Sequence, residues 1–194
     1  MLQEFKPTLY FLLKFFGIYL GLSWLYGVYI GHYDSRAPAV LDPITRGVSA
    51  QGTEFCSALG YETLIVEDDH LNQESLPEQT YDSIWINDSY AISVEEGCNG
   101  INIMILFLAF VVGFGGKLNN SLIFIPLGLL FIHLANLGRL LLLSFVNIHY
   151  SAETFHFFHK YGFTAIIYLA VLFLWYLWVM RYSGRLRAAK ATDG

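Results

Sequence analysis

The sequence predicts an all-α membrane bundle of about four transmembrane helices, with a small extracytoplasmic α/β cap between the first and second spans. Three observations carry this. The 194 residues are 55% hydrophobic and only 14% charged, with mean hydropathy +0.48, where an ordinary soluble domain is roughly 25% charged. Four apolar runs, 8–30, 98–115, 122–146 and 158–180, lie near or above the ~20 helical residues needed to cross a hydrocarbon core. Most acidic residues collect between the first two runs, from Asp34 to Glu96, against only Arg36 and Arg46.

The first run is interrupted only by Lys14, and its length suits an uncleaved anchor better than a signal peptide, whose apolar core is about 7–15 residues. In the polar segment 32–97, Val40, Leu41, Ile44, Val48 and Phe55 have helical spacing within 38–59. Residues 63–66, 83–86 and 92–94 read as short strands, and 68–79 as a polar loop. The third apolar run contains His133, Asn136 and Arg139. The fourth ends in Trp175, Tyr176, Trp178 and Arg181, an aromatic and basic belt of the kind found where a helix leaves a bilayer. Four segments result: an anchor span 1–31, a cap 32–97, a three-span core 98–181 and a basic tail 182–194.

Orientation follows from Lys6, Lys117, Arg181, Arg185, Arg187 and Lys190, which flank the spans and belong in the cytoplasm by the positive-inside rule. Both termini are then cytoplasmic and the cap faces outward. The formal net charge of −5 argues against nucleic acid as a partner, because phosphate neutralisation needs a basic surface. Cys56 and Cys98 are too few for a disulfide scaffold, although they suffice for one bridge.

This topology delivers three chemical groups to one face of the membrane. Cys98 opens the second span, Arg139 lies about two turns below the outer end of the third, and His159 opens the fourth. An arginine among leucines is costly unless it snorkels or is paired, and is a functional candidate by default. Asn136 and His133 precede it at spacings that place all three on one helical face. Cys98 at a helix N-terminus gains from the dipole, which lowers a thiol pKa, while Glu95 and Glu96 oppose a thiolate. Gly97 and Gly100 permit close backbone approach. His156 stands one turn before His159, and the start of a helix favours the neutral imidazole that a general base requires. The grouping of His149, Glu153, His156 and His159 lacks a zinc signature, so no metal and no cofactor is expected. Each residue alone also has a plain alternative: a snorkelling arginine, an inert interfacial thiol, histidines bonded to headgroups.

Glu-Gly-Cys98-Asn99-Gly100-Ile, followed by Asn136-x-x-Arg139 in a later span and a histidine opening the last, resembles the exosortase/archaeosortase family of multispanning cysteine transpeptidases. With the short length and the closing aromatic run before Val179, the chain is most similar to the compact exosortase F (XrtF) type. The resemblance implies an enzyme of the bacterial cytoplasmic (inner) membrane, active on the extracytoplasmic side. Its substrates carry a C-terminal motif, a transmembrane helix and a basic tail, and pass to an envelope acceptor. Carried over, Cys98 is the nucleophile, Arg139 the oxyanion stabiliser and His159 the general base and acid, with His156 as the alternative. Asn136, Asn99 and Gly100 are supporting residues. Two other functions fit the residues: a four-helix thiol oxidoreductase exchanging disulfides through Cys56 and Cys98, and a non-catalytic membrane scaffold that uses the polar residues for packing.

Overall fold

A computed structural model describes residues 5–36, 40–67 and 80–182. The polar loop 68–79, residues 37–39 at the start of the expected cap helix, and the basic residues Arg185, Arg187 and Lys190 lie outside the described residues. The elements run α1 (Lys6–Asp34), α2 (Pro43–Ala58), β1 (Thr63–Val66), β2 (Asp82–Ile86), β3 (Ser89–Val94), a 3₁₀ turn (Glu96–Cys98), α3 (Ile101–Phe114), α4 (Leu118–His149), α5 (Ala152–Phe157), a π turn (Phe158–Gly162), α6 (Phe163–Leu177) and a second π turn (Trp178–Tyr182).

Among the described residues, three helices are long and apolar enough to cross a membrane: Lys6–Asp34, Leu118–His149 and Ala152–Arg181. The run expected to form the second span is different. It becomes a helix of 14 residues, about 21 Å at 1.5 Å per residue, against a core of about 30 Å. Its start is delayed because Gly100 has φ +79°, a left-handed conformation that a right-handed helix excludes.

The chain divides into two compact units. One comprises residues 1–26, 101–133 and 167–194. Its buried residues Phe107, Val111, Phe124, Ile132, Val171 and Trp178 form one apolar cluster. Phe110 stacks on Trp175 at 4.2 Å between ring centres, and Phe11 meets Phe110 edge-on at 5.6 Å. Close helix approach depends on two glycines: a Cβ on Gly113 would stand 3.1 Å from the Phe15 backbone, and one on Gly128 only 2.2 Å from the buried Phe107 ring. The outward positions of α1, among them Leu9, Leu13, Leu20 and Trp24, are exposed apolar side chains, as lipid-facing positions are.

The other unit comprises 27–100 and 134–166. Among its described residues β1, β2 and β3 form an antiparallel sheet in that order, with Ile65 opposite Ile84 and Ile84 opposite Ile92. β2 turns into β3 through Asn87 and Asp88, both at positive φ (48° and 60°), as a two-residue type I′ hairpin requires. Asp42 caps α2, accepting from the backbone N–H of Ile44 at 2.9 Å and of Thr45 at 3.1 Å, with Pro43 in the first turn. Val48 and Cys56 of α2, Ile84, Ile86, Ala91, Ile92 and Val94 of the sheet, Leu140 and Leu143 of α4, and Phe163 share one core with Cys98. Asn147 donates to the Ala91 carbonyl at 2.9 Å, tying the end of α4 to β3.

Candidate active site

Cys98 lies at the end of the 3₁₀ turn, three residues before α3, and its N–H donates to the Glu95 carbonyl at 2.8 Å. Its neighbours are held individually. Asn136, 1% exposed, donates from Nδ2 to the Cys98 carbonyl at 2.7 Å. Asn99, 2% exposed, donates from Nδ2 to Thr45 Oγ1 at 2.8 Å. Gly100 is required twice, by its positive φ and because a Cβ there would stand 3.2 Å from Asn136 Cγ. A single helical side chain thus holds the carbonyl of residue 98 and fills the space beside residue 100.

The expectation that a helix dipole lowers the Cys98 thiol pKa is corrected. Cys98 is 5% exposed, and burial pushes the thiol up; a hydrogen bond from the Glu95 backbone to the thiol and the Arg139 charge pull it back, while the Glu95 carboxylate adds to the rise. Burial wins because Cys98 precedes the helix and the dipole effect fades within the first turn. A thiol pushed up from its ordinary value is neutral at neutral pH.

Arg139 lies on α4, ten residues before its end at His149, about 15 Å along the axis, deeper than the two turns expected. It is half-buried, and its Nε is buried with no hydrogen-bond partner among the described residues. A desolvated guanidinium donor is costly and is the group that a developing anion would satisfy. Its charge acts on both Cys98 and His159.

His159 is half-buried, its ring stacked on Phe155 at 5.6 Å and 22°. His156 meets the same Phe155 ring edge-on at 5.8 Å but is exposed. The expected placement of His159 at a helix start is also corrected. A continuous helix begins at Ala152, capped by Ser151, so His159 lies beyond the first turn, where the dipole would favour a neutral imidazole. His159 instead occupies the π turn Phe158–Gly162, where the extra residue per turn re-aims side chains relative to an α-helix. His133 falls in the other unit. His149 is exposed, bonded through Nδ1 to the Phe145 carbonyl at 3.0 Å, and among the described residues no three His, Cys, Asp or Glu side chains are gathered as metal ligands.

The two glutamates on the turn part company. Glu95 is exposed and its charge reaches both Cys98 and His159. The Glu96 carboxyl is pushed up from 4.5 to about 7, first by burial and then by the Asp34 carboxyl to which it is hydrogen-bonded, with Asp42 and Glu95 adding. A raised carboxyl favours the protonated folded state, so its cost is absent below about pH 4.5, grows as pH rises and is complete above about 7. Glu96→Gln, which keeps a donor toward Asp34, is expected to flatten the fall in thermal stability between pH 5 and 8 (roughly the titration window). Melting curves of both proteins across that range check it.

Thr45 and Asp42 were not legible as neighbours of the site. The Asp-Pro-x-Thr sequence signals a helix start, yet nothing in it names Asn99, 54 residues later, as the partner. Cys56 is 1% exposed inside the core and its thiol is pushed up by burial; it and Cys98 are both free thiols.

The family model Transmembrane exosortase (Exosortase_EpsH) matches residues 12–184. No curated protein and no solved structure matches the chain.

Proposed function

The chain belongs to the transmembrane exosortase family, and from that premise we propose that it is a membrane cysteine transpeptidase that cleaves C-terminal sorting signals of envelope proteins. The observation that carries the reading is Arg139, whose buried Nε has no hydrogen-bond partner among the described residues and whose charge acts on both the buried Cys98 thiol and His159. The Glu-Gly-Cys-Asn-Gly-Ile core supports the compact exosortase F type.

In the proposed reaction His159 takes the Cys98 proton and Sγ attacks the scissile carbonyl, forming a C–S bond. Arg139 stabilises the resulting oxyanion in a site of low dielectric. The C–N bond then breaks as His159 returns the proton to the leaving amine, and a thioester remains on Cys98. An envelope acceptor attacks that thioester, its proton passes through His159, and Cys98 is released as a thiol. His159 is favoured over His156 because it is half-buried and within the field of Arg139.

In this reading α3 is a short crossing that makes four, with thinning of the bilayer or flanking residues absorbing the mismatch. Both termini are cytoplasmic and Cys98 faces outward in the bacterial inner membrane, supported by the flanking Lys6, Lys117 and Arg181. The partners are membrane-embedded substrates bearing a motif, a helix and a basic tail.

The assignment is tested with a co-produced protein that ends in such a sorting helix. His159→Ala is expected to lower the processing rate about 10²- to 10⁴-fold, whereas His156→Ala stays within about twofold of wild type, because an exposed ring takes no proton in the buried step. Equal losses in both variants would remove His159 from its role.

A further inference from the structure

On the reading of Cys98 as the nucleophile, we propose that Thr45 is a positioning residue for it: through its hydroxyl, the N-terminus of α2 fixes the residue that follows Cys98 and so sets where the thiol stands. Asp42 uses Oδ1 to cap the helix, accepting from Ile44 and Thr45 backbone N–H groups, and Oδ2 accepts from the Thr45 hydroxyl. That commits the one proton Thr45 Oγ1 possesses. Its lone pairs are left to accept, and Asn99 Nδ2 donates to them at 2.8 Å. The hydrogen bonds therefore run in one direction, from Asn99 to Thr45 to Asp42, which fixes the Asn99 amide orientation.

All three side chains are nearly or fully removed from solvent, so water cannot substitute for a lost partner and the chain of bonds is rigid. Tyr29 of α1 adds a donor to Asp42 Oδ1 at 3.4 Å. The turn is consequently held from two directions. Asn136 of α4 holds the Cys98 carbonyl and confines Gly100, while α2 holds Asn99 between them. With residues 98, 99 and 100 each fixed by a different contact, the Cys98 side chain inherits its position from both helices. α2 in turn is anchored by Val48 and Cys56 in the core of the sheet.

The test uses the full chain in lipid nanodiscs, with Thr45→Val, which keeps shape and removes the hydroxyl, and Thr45→Ser, which restores it. Alkylation by a small maleimide is followed by mass spectrometry at Cys98 and Cys56 separately. Thr45→Val is expected to change the Cys98 rate about fivefold or more, and Thr45→Ser to return it to within about twofold, since thiol reactivity follows local access and environment. Cys56, in the core and on α2 itself, stays within about twofold and reports general loosening of the unit. Processing of a sorting-helix substrate should show kcat lowered about tenfold with KM unchanged in Thr45→Val, as expected when a nucleophile is misplaced rather than substrate lost. An unchanged Cys98 rate in Thr45→Val, or parallel changes at Cys98 and Cys56, would overturn the role given to Thr45. If Cys98→Ala leaves processing intact, the transpeptidase reading alone fails, and the ratio of the two alkylation rates still decides for or against Thr45.

Discussion

Cys98→Ala is expected to reduce processing of a sorting-helix substrate about 10⁴- to 10⁶-fold, the loss typical when a covalent nucleophile is removed. Among the described residues its neighbours offer no substitute nucleophile. Asn136 and Asn99 hold the turn through their Nδ2 groups and an amide is no nucleophile, and Cys56 is enclosed among Val48, Ile84 and other core residues. Cys56→Ala should therefore retain processing and lose only stability, from the small cavity it leaves. The pair of variants separates transpeptidation from disulfide exchange, which would need both thiols. A cleavage assay with the protein level measured in parallel reads both results.

Arg139→Ala is expected to lower the rate of the chemical step about 10²- to 10³-fold, as removal of an oxyanion donor does, with KM changed far less because the guanidinium acts on charge that develops only in the transition state. Arg139→Lys should recover little. An ammonium keeps the charge but loses the planar fork. Because Arg139 Nε is desolvated without a protein partner among the described residues, truncation also relieves a cost, so Arg139→Ala should fold at least as well as wild type. Loss of rate together with unchanged or raised melting temperature distinguishes this role from a structural one.

Hydropathy and spacing carried much of this fold and some of the site. β1 was legible as a run of β-branched and apolar residues at 63–66 and occurs there, and the sheet starts β2 one residue and β3 three residues earlier than expected, at Asp82 and Ser89. The long helices were legible as apolar runs, but their ends were not. α4 begins at Leu118 and continues to His149, through polar residues that hydropathy excludes and helix hydrogen bonding tolerates. The last helix likewise starts six residues before its apolar run, at the Ser151 cap. The second span was overread for the opposite reason: Cys98, Asn99 and Gly100 adjoin an apolar run, yet the left-handed Gly100 keeps them out of the helix.

Those end effects are what changed the chemistry. A cysteine thought to gain from a helix N-terminus proved to be a buried thiol on a 3₁₀ turn, and a histidine thought to open a helix lies in a π turn well inside one. Arg139 could be singled out from its leucine surroundings alone, because a charge in an apolar run stands out in any one sequence. Thr45 could not, since a threonine in the first turn of a helix is ordinary and its bond to Asn99 exists only once α2 and the 98–100 turn are folded together.

The most direct test is mass-spectrometric capture of an acyl group on Cys98 when the full protein is co-produced with a substrate carrying a C-terminal motif, helix and basic tail, and the acceptor is withheld or slow. A Cys98 peptide bearing the substrate's new C-terminus as a thioester, released by hydroxylamine and absent from Cys98→Ala, is the predicted result. Processed substrate accumulating with Cys98 unmodified, or at undiminished rate in Cys98→Ala, would contradict it.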